Sequence, residues 1–133
     1  MDEYLVNRVL TASPEQLHLM LIDGCLRQCR AAEAAIEAET FDRAHESLDS
    51  ARSHLTQLLT GLSPTADDEF LVNLRSLFKL AFRHLTLADL DHDIALVQAA
   101  ATIVADYRQT WTLVMEQLSA DRPAGTGSLA ATA

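Results

Sequence analysis

A chain of 133 residues that is 49% apolar but only 5% aromatic, with two cysteines and a formal charge of −9, reads as one helical domain able to bury its own core. The negative balance repels phosphate backbones and argues against nucleic-acid binding, and no apolar run reaches the ~18 residues of a membrane span. The acidic start, MDEYLVNRVL, lacks the basic and apolar regions of a signal peptide, so a cytosolic protein with reduced thiols is expected.

Residues 1–12 read as a short segment packing back on the domain. Ser13 then stands as a helix N-cap, with Pro14 at the first helical position and Gln16 closing a capping box. These signals predict a helix from Pro14 to about Glu39. Leu17, Leu21 and Gly24 share one side of it and are expected to pack, while Gln16, Asp23, Arg27 and Arg30 form a narrow polar strip. Glycine costs roughly 1 kcal/mol relative to alanine in a helix, so Gly24 is expected to mark a close helix crossing.

A second helix is predicted from a Thr40 cap to Gly61 and Pro64. Its Phe41, Ala44, Leu48, Ala51, Leu55, Leu58 and Leu62 recur at spacings of three and four, a narrow bundle seam. The third, from about Ala66 to Asp89, repeats the device with Leu71, Leu74, Phe78, Ala81, Leu85 and Ala88. The fourth starts near Asp91 and uses Val97, Ala101, Val104, Trp111, Met115 and Leu118. Asp67, Asp68, Asp89, Asp91 and Asp93 read as caps at helix starts and turns. Residues 121–133, DRPAGTGSLAATA, lose periodicity and read as a disordered tail. Four helices of similar length with short connections specify an all-α, antiparallel up-and-down four-helix bundle over residues 1–120.

The first, third and fourth helices are more apolar than such a bundle requires, and on the first the bundle itself and the folded-back segment from Tyr4 to Leu10 are expected to cover the surplus. Phe70, Leu77, Leu80 and Leu87 form a second stripe on the third helix, and Leu96, Ile103, Tyr107 and Val114 form one on the fourth. Surplus apolar surface has to be covered. No other segment remains to cover these stripes, so a groove for an external amphipathic peptide is expected there. Asn73, Arg75 and His84 are candidates to set its register, and the empty stripes leave a homodimer open.

The residues also carry a resemblance. VLTASPEQLHLMLIDG is similar to the amino-terminal signature of the flagellar export chaperone family FliS, whose members typically show TASPEEL followed by MLYDG. NLRSLFKLAFRHL, the Leu85, Ala88, Asp89 and Asp93 positions, and YRQTW with Trp111 resemble its later helices in the same order, over roughly residues 4–118. Ile22 and Phe78 stand where the family usually has tyrosine. The resemblance implies a cytosolic four-helix bundle that binds the carboxy-terminal segment of flagellin. Such a protein prevents premature polymerisation and aids delivery to the export apparatus. It also implies that the amino-terminal segment, through Tyr4 and Leu5, plugs the empty groove.

No catalytic, metal or cofactor site is expected. His18, Cys25 and Cys29 share a helical face, but they spread over three turns with no obvious fourth ligand. A histidine phosphotransfer bundle would use His54 or His84, yet neither is followed by the lysine and glycine usual in that class. A di-iron centre needs Glu-x-x-His on two helices, which do not occur. The alternatives are an adaptor bundle for another export client and, less favoured, the histidine phosphotransfer domain.

Overall fold

The computed structural model describes Glu3, Asn7, residues 12–62 and residues 68–121. Expectations for Tyr4, Leu5, Pro64, Ala66, Asp67 and residues 122–133 lie outside the described residues. Among the described residues Glu3 and Asn7 are helical, and four longer helices follow in order: α1 (Pro14–Glu37), α2 (Phe41–Thr60), α3 (Glu69–Asp91) and α4 (Ile94–Asp121). Each packs on its neighbours in sequence, and α1 also packs on α4, which closes an up-and-down four-helix bundle.

Local chemistry sets the helix ends. Ser13 and Gln16 form the reciprocal capping box, each side chain accepting from the other's backbone N–H at 3.1 and 2.9 Å respectively. Asp68 accepts from the Phe70 N–H at 2.8 Å, and Asp93 from that of Ala95 at 2.9 Å, satisfying donors at the starts of α3 and α4. Thr40 departs from expectation. Its hydroxyl makes no cap bond to α2 and instead donates back to the Ala35 carbonyl at 3.2 Å, because left-handed Glu39 (φ 57°) turns the chain sharply there. The α3–α4 turn likewise uses a left-handed residue, His92 (φ 53°), whose ring stacks on Phe41 at 3.8 Å.

The seams meet along most of their predicted length, with Leu48, Leu55, Leu58, Phe78, Leu85, Val97 and Val104 fully buried, whereas Phe41 at the start of the α2 seam is 39% exposed. Ile22 and Phe78 are both 0% exposed. Small residues at Cys25, Cys29, Ala32 and Ala51 bring α1 and α2 close, and the Cys25 thiol donates to the Ala51 carbonyl at 3.6 Å. The α4 seam differs from expectation toward its end. Trp111 and Met115 are half-buried and Leu118 is 55% exposed, because α4 has 28 residues against 23 in α3 and outruns its partner.

Gly24 is buried against α2, where an added Cβ would lie 2.6 Å from His54 Nε2 and 2.9 Å from its Cδ2. The ring is held by a 2.7 Å hydrogen bond between His54 Nδ1 and the Ser50 carbonyl, so it does not swing aside freely. Gly24→Ala is expected to lose about 1–2 kcal/mol, overpacking outweighing the helix-propensity gain. In a His54→Ala background the same change is expected to stabilise by up to about 1 kcal/mol. Urea unfolding of the four proteins measures this reversal of sign.

Asp89 is not a cap. Its carboxylate accepts from Arg52 Nη2 at 2.8 Å and lies 2.7 Å from His45 Nδ1, while Arg52 also donates to the Leu85 carbonyl. Burial raises the Asp89 pKa, but the hydrogen bonds from Arg52 and His45 outweigh it and hold the carboxyl below its ordinary value of 3.8. A depressed carboxylate pKa contributes stability above the unfolded value, and that contribution is lost as pH falls through the folded one. Asp89→Asn is therefore expected to cost about 1–3 kcal/mol near neutrality. The difference from the parent should shrink in denaturation curves taken below pH 3.8.

Candidate peptide-binding groove

Helices α3 and α4 turn one stripe each inward, Leu74, Phe78, Ala81 and Leu85 against Val97, Ala100 and Val104. The second stripe on α3 stays outside: Phe70 is 53% exposed, Leu77 45%, Leu80 42% and Leu87 37%. Between the two helices lies a cavity of about 170 Å³ lined by Phe70, Leu74, Leu77, Ile103, Asp106, Tyr107 and Thr110. A second of about 340 Å³ shares Phe70, Leu74, Tyr107 and Thr110 with it. This one reaches the end of the bundle, where Pro14 and His18 of α1, Leu62 beyond α2, and Trp111 and Val114 of α4 complete its wall. Together they form a mainly apolar groove.

Phe70, Leu77, Ile103, Tyr107 and Val114 are thus gathered around one depression, whereas Leu80, Leu87 and Leu96 line neither cavity. Leu96 and Ile103 are half-buried and pack against the core. Tyr107 belongs mostly to the core: it is 7% exposed and packs edge-on to Phe78 with centroids 5.0 Å apart. The reason is spacing, since Val97, Ala100, Val104 and Tyr107 recur at three, four and three along the buried face. Asp106 and Thr110 take the groove-facing positions that the expected stripe passed over. Continuing from Ile103 by steps of three and four leads to them and then to Val114. Asn73, Arg75 and His84 line neither cavity. On α1, Leu17 is 37% exposed and Leu21 half-buried.

The bundle end of the groove carries a polar pair inside an aromatic wall. His18 Nε2 lies 2.5 Å from the Tyr107 hydroxyl, and the His18 ring lies 4.4 Å from that of Trp111. Burial lowers the His18 pKa and pushes that of Tyr107 up to about 12. Near neutral pH the imidazole and the phenol are therefore both neutral, so this hydrogen-bonded pair carries no charge.

His18 is thereby separated from Cys25 and Cys29, which are buried in the core. Among the described residues no three His, Cys, Asp or Glu side chains converge as a metal site. His54 is occupied with Ser50 and Gly24, and the half-buried His84 has a buried Nδ1 without a partner among the described residues. No helix among the described residues is long and apolar enough to cross a membrane.

The family model described as "Flagellar protein FliS" matches residues 1–118, from before α1 to within three residues of the end of α4. The chain belongs to the FliS family. A relative from Bacillus subtilis (strain 168), named "Flagellar secretion chaperone FliS", is 30% identical over 127 residues, covering 96% of this chain and 93% of the relative. The matched region contains every residue that lines the two groove cavities. It includes Ile22 and Phe78, where apolar side chains fill closed core positions.

Proposed function

We propose that this FliS-family protein acts in the cytosol as a non-catalytic chaperone. It binds the carboxy-terminal segment of flagellin in the α3–α4 groove, prevents premature polymerisation and releases the segment for export. The observation that carries this reading is the run of unpartnered apolar side chains, Phe70, Leu77 and Val114, along one groove of a flagellar secretion chaperone fold.

The physical task is to cover apolar faces that would otherwise assemble, and later to let go. Burying those faces supplies the driving force. Ordering a client on binding removes about 2–5 kcal/mol of the gross interaction energy, which keeps a large contact reversible. The neutral Tyr107–His18 pair suits an apolar anchor, since the pair itself brings no charge to desolvate.

Titration calorimetry against a peptide spanning the flagellin carboxy-terminal segment tests the reading. A one-to-one complex with a negative heat-capacity change, together with delayed flagellin polymerisation, is the expected result. Absence of binding at high micromolar peptide would leave the fold with a different export client.

A further inference from the structure

The opposite flank of α4 carries a feature of different chemistry. A depression of about 540 Å³ between α1 and α4 is lined by Asp23, Arg27, Arg30, Arg108 and Gln109 around Leu26 and Ala105. Three of the ten basic residues of an acidic chain thus converge on one concavity. Arg108 Nε donates to Asp23 at 2.5 Å, which fixes one edge of that guanidinium. Arg27 and Arg30 are exposed, and neither has a carboxylate within 4.0 Å among the described residues. One carboxylate among three guanidinium groups leaves two positive charges unmatched.

We propose that this α1–α4 depression is a docking site for an acidic helical segment of a second protein, whose carboxylates one turn apart pair with Arg27 and Arg30. The two arginines are three residues apart and so neighbours on one helix face. Arginine forks suit bidentate pairing with carboxylates, and the Leu26–Ala105 floor offers contact to the apolar side of such a helix. A nucleic acid fits less well. The chain's −9 charge repels a phosphate polymer beyond the point of contact, and the arginines form a single cluster with no continuing track.

Periodicity keeps this site apart from the groove. Ile103, Asp106, Tyr107 and Thr110 face α3, while Ala105, Arg108 and Gln109 face α1. An acidic partner therefore docks without displacing a peptide between α3 and α4, and the inference stands whether or not that peptide is flagellin.

The test is a nuclear magnetic resonance titration of the full chain with an amidated hexaglutamate peptide and, in parallel, with hexathymidylate. Shifts at the Nε–Hε resonances of Arg27, Arg30 and Arg108 are expected with the peptide. Affinity should fall about tenfold in the Arg27→Gln/Arg30→Gln variant. Both substitutions are at exposed helix positions, where stability changes are small, and a urea curve verifies this. Three results would overturn the proposal: equal affinity for hexathymidylate, unchanged peptide affinity in the double variant, or shifts confined to the Arg75, Lys79 and Arg83 side of α3.

Discussion

A Leu77→Asp variant is expected to bind the flagellin carboxy-terminal peptide about 100-fold more weakly than the parent, roughly 2.7 kcal/mol, while its unfolding midpoint in urea hardly moves. Leu77 is 45% exposed and lines the α3–α4 cavity. In the free protein the new carboxylate remains hydrated, so folding is little affected. On binding, it would be desolvated against an apolar client beside Asp106, a second carboxylate in the same cavity, with no cation there to repay the cost. Leu87→Asp is the control, because Leu87 is similarly exposed at 37% but lines neither cavity. It is expected to lose less than about fivefold, under 1 kcal/mol. The reverse order, a large loss for Leu87→Asp and none for Leu77→Asp, would move the contact toward the other end of α3. Calorimetry on both variants decides the point.

Phe78→Ala is expected to destabilise the bundle by about 3–5 kcal/mol, a large part of the 5–15 kcal/mol that holds a typical domain together. Phe78 is 0% exposed and is the largest fully buried side chain among the described residues. Its ring supports Tyr107 edge-on at 5.0 Å, and Tyr107 in turn forms the floor shared by both cavities and bonds His18. Truncation leaves a void that neighbouring helices fill only in part, and it loosens the groove from beneath. A lowered urea midpoint with an unchanged slope is the expected signature. Peptide binding should weaken even at temperatures where the variant remains folded. A midpoint within the error of the parent would show that α3 and α4 close over the missing ring.

These two variants separate roles that one helix assigns to adjacent residues. Leu77 and Phe78 are neighbours in sequence, yet a step of about 100° around the helix puts one in the groove and the other in the core. The spacing of Leu71, Leu74, Phe78, Ala81, Leu85 and Ala88 already distinguished them. On α4 the same reasoning divided the faces less well. Apolar residues occur on most sides of that helix, and Tyr107 entered the expected groove stripe although its ring lies in the core. The unexpected groove-facing residues, Asp106 and Thr110, are polar, so an apolar pattern passed over them.

Amino-acid order alone determined the helix count, the Ser13–Gln16 capping box, the Asp68 and Asp93 caps and most of the buried seam, because each depends on contacts within one or two helical turns. The TASPEQL and LIDG segments also carried the family. Only the tertiary structure decided what depends on distant partners. Asp89 became the acceptor for Arg52, 37 residues away, instead of a cap. Thr40 turned back to Ala35. Gly24 proved to make room for His54, and Arg108 met Asp23 across 85 residues, beside two arginines with no carboxylate within 4.0 Å among the described residues. Helical periodicity specifies the angle at which a side chain leaves its own axis. Which neighbour it then meets depends on the packing distance and rotation of the next helix, and no local spacing encodes those.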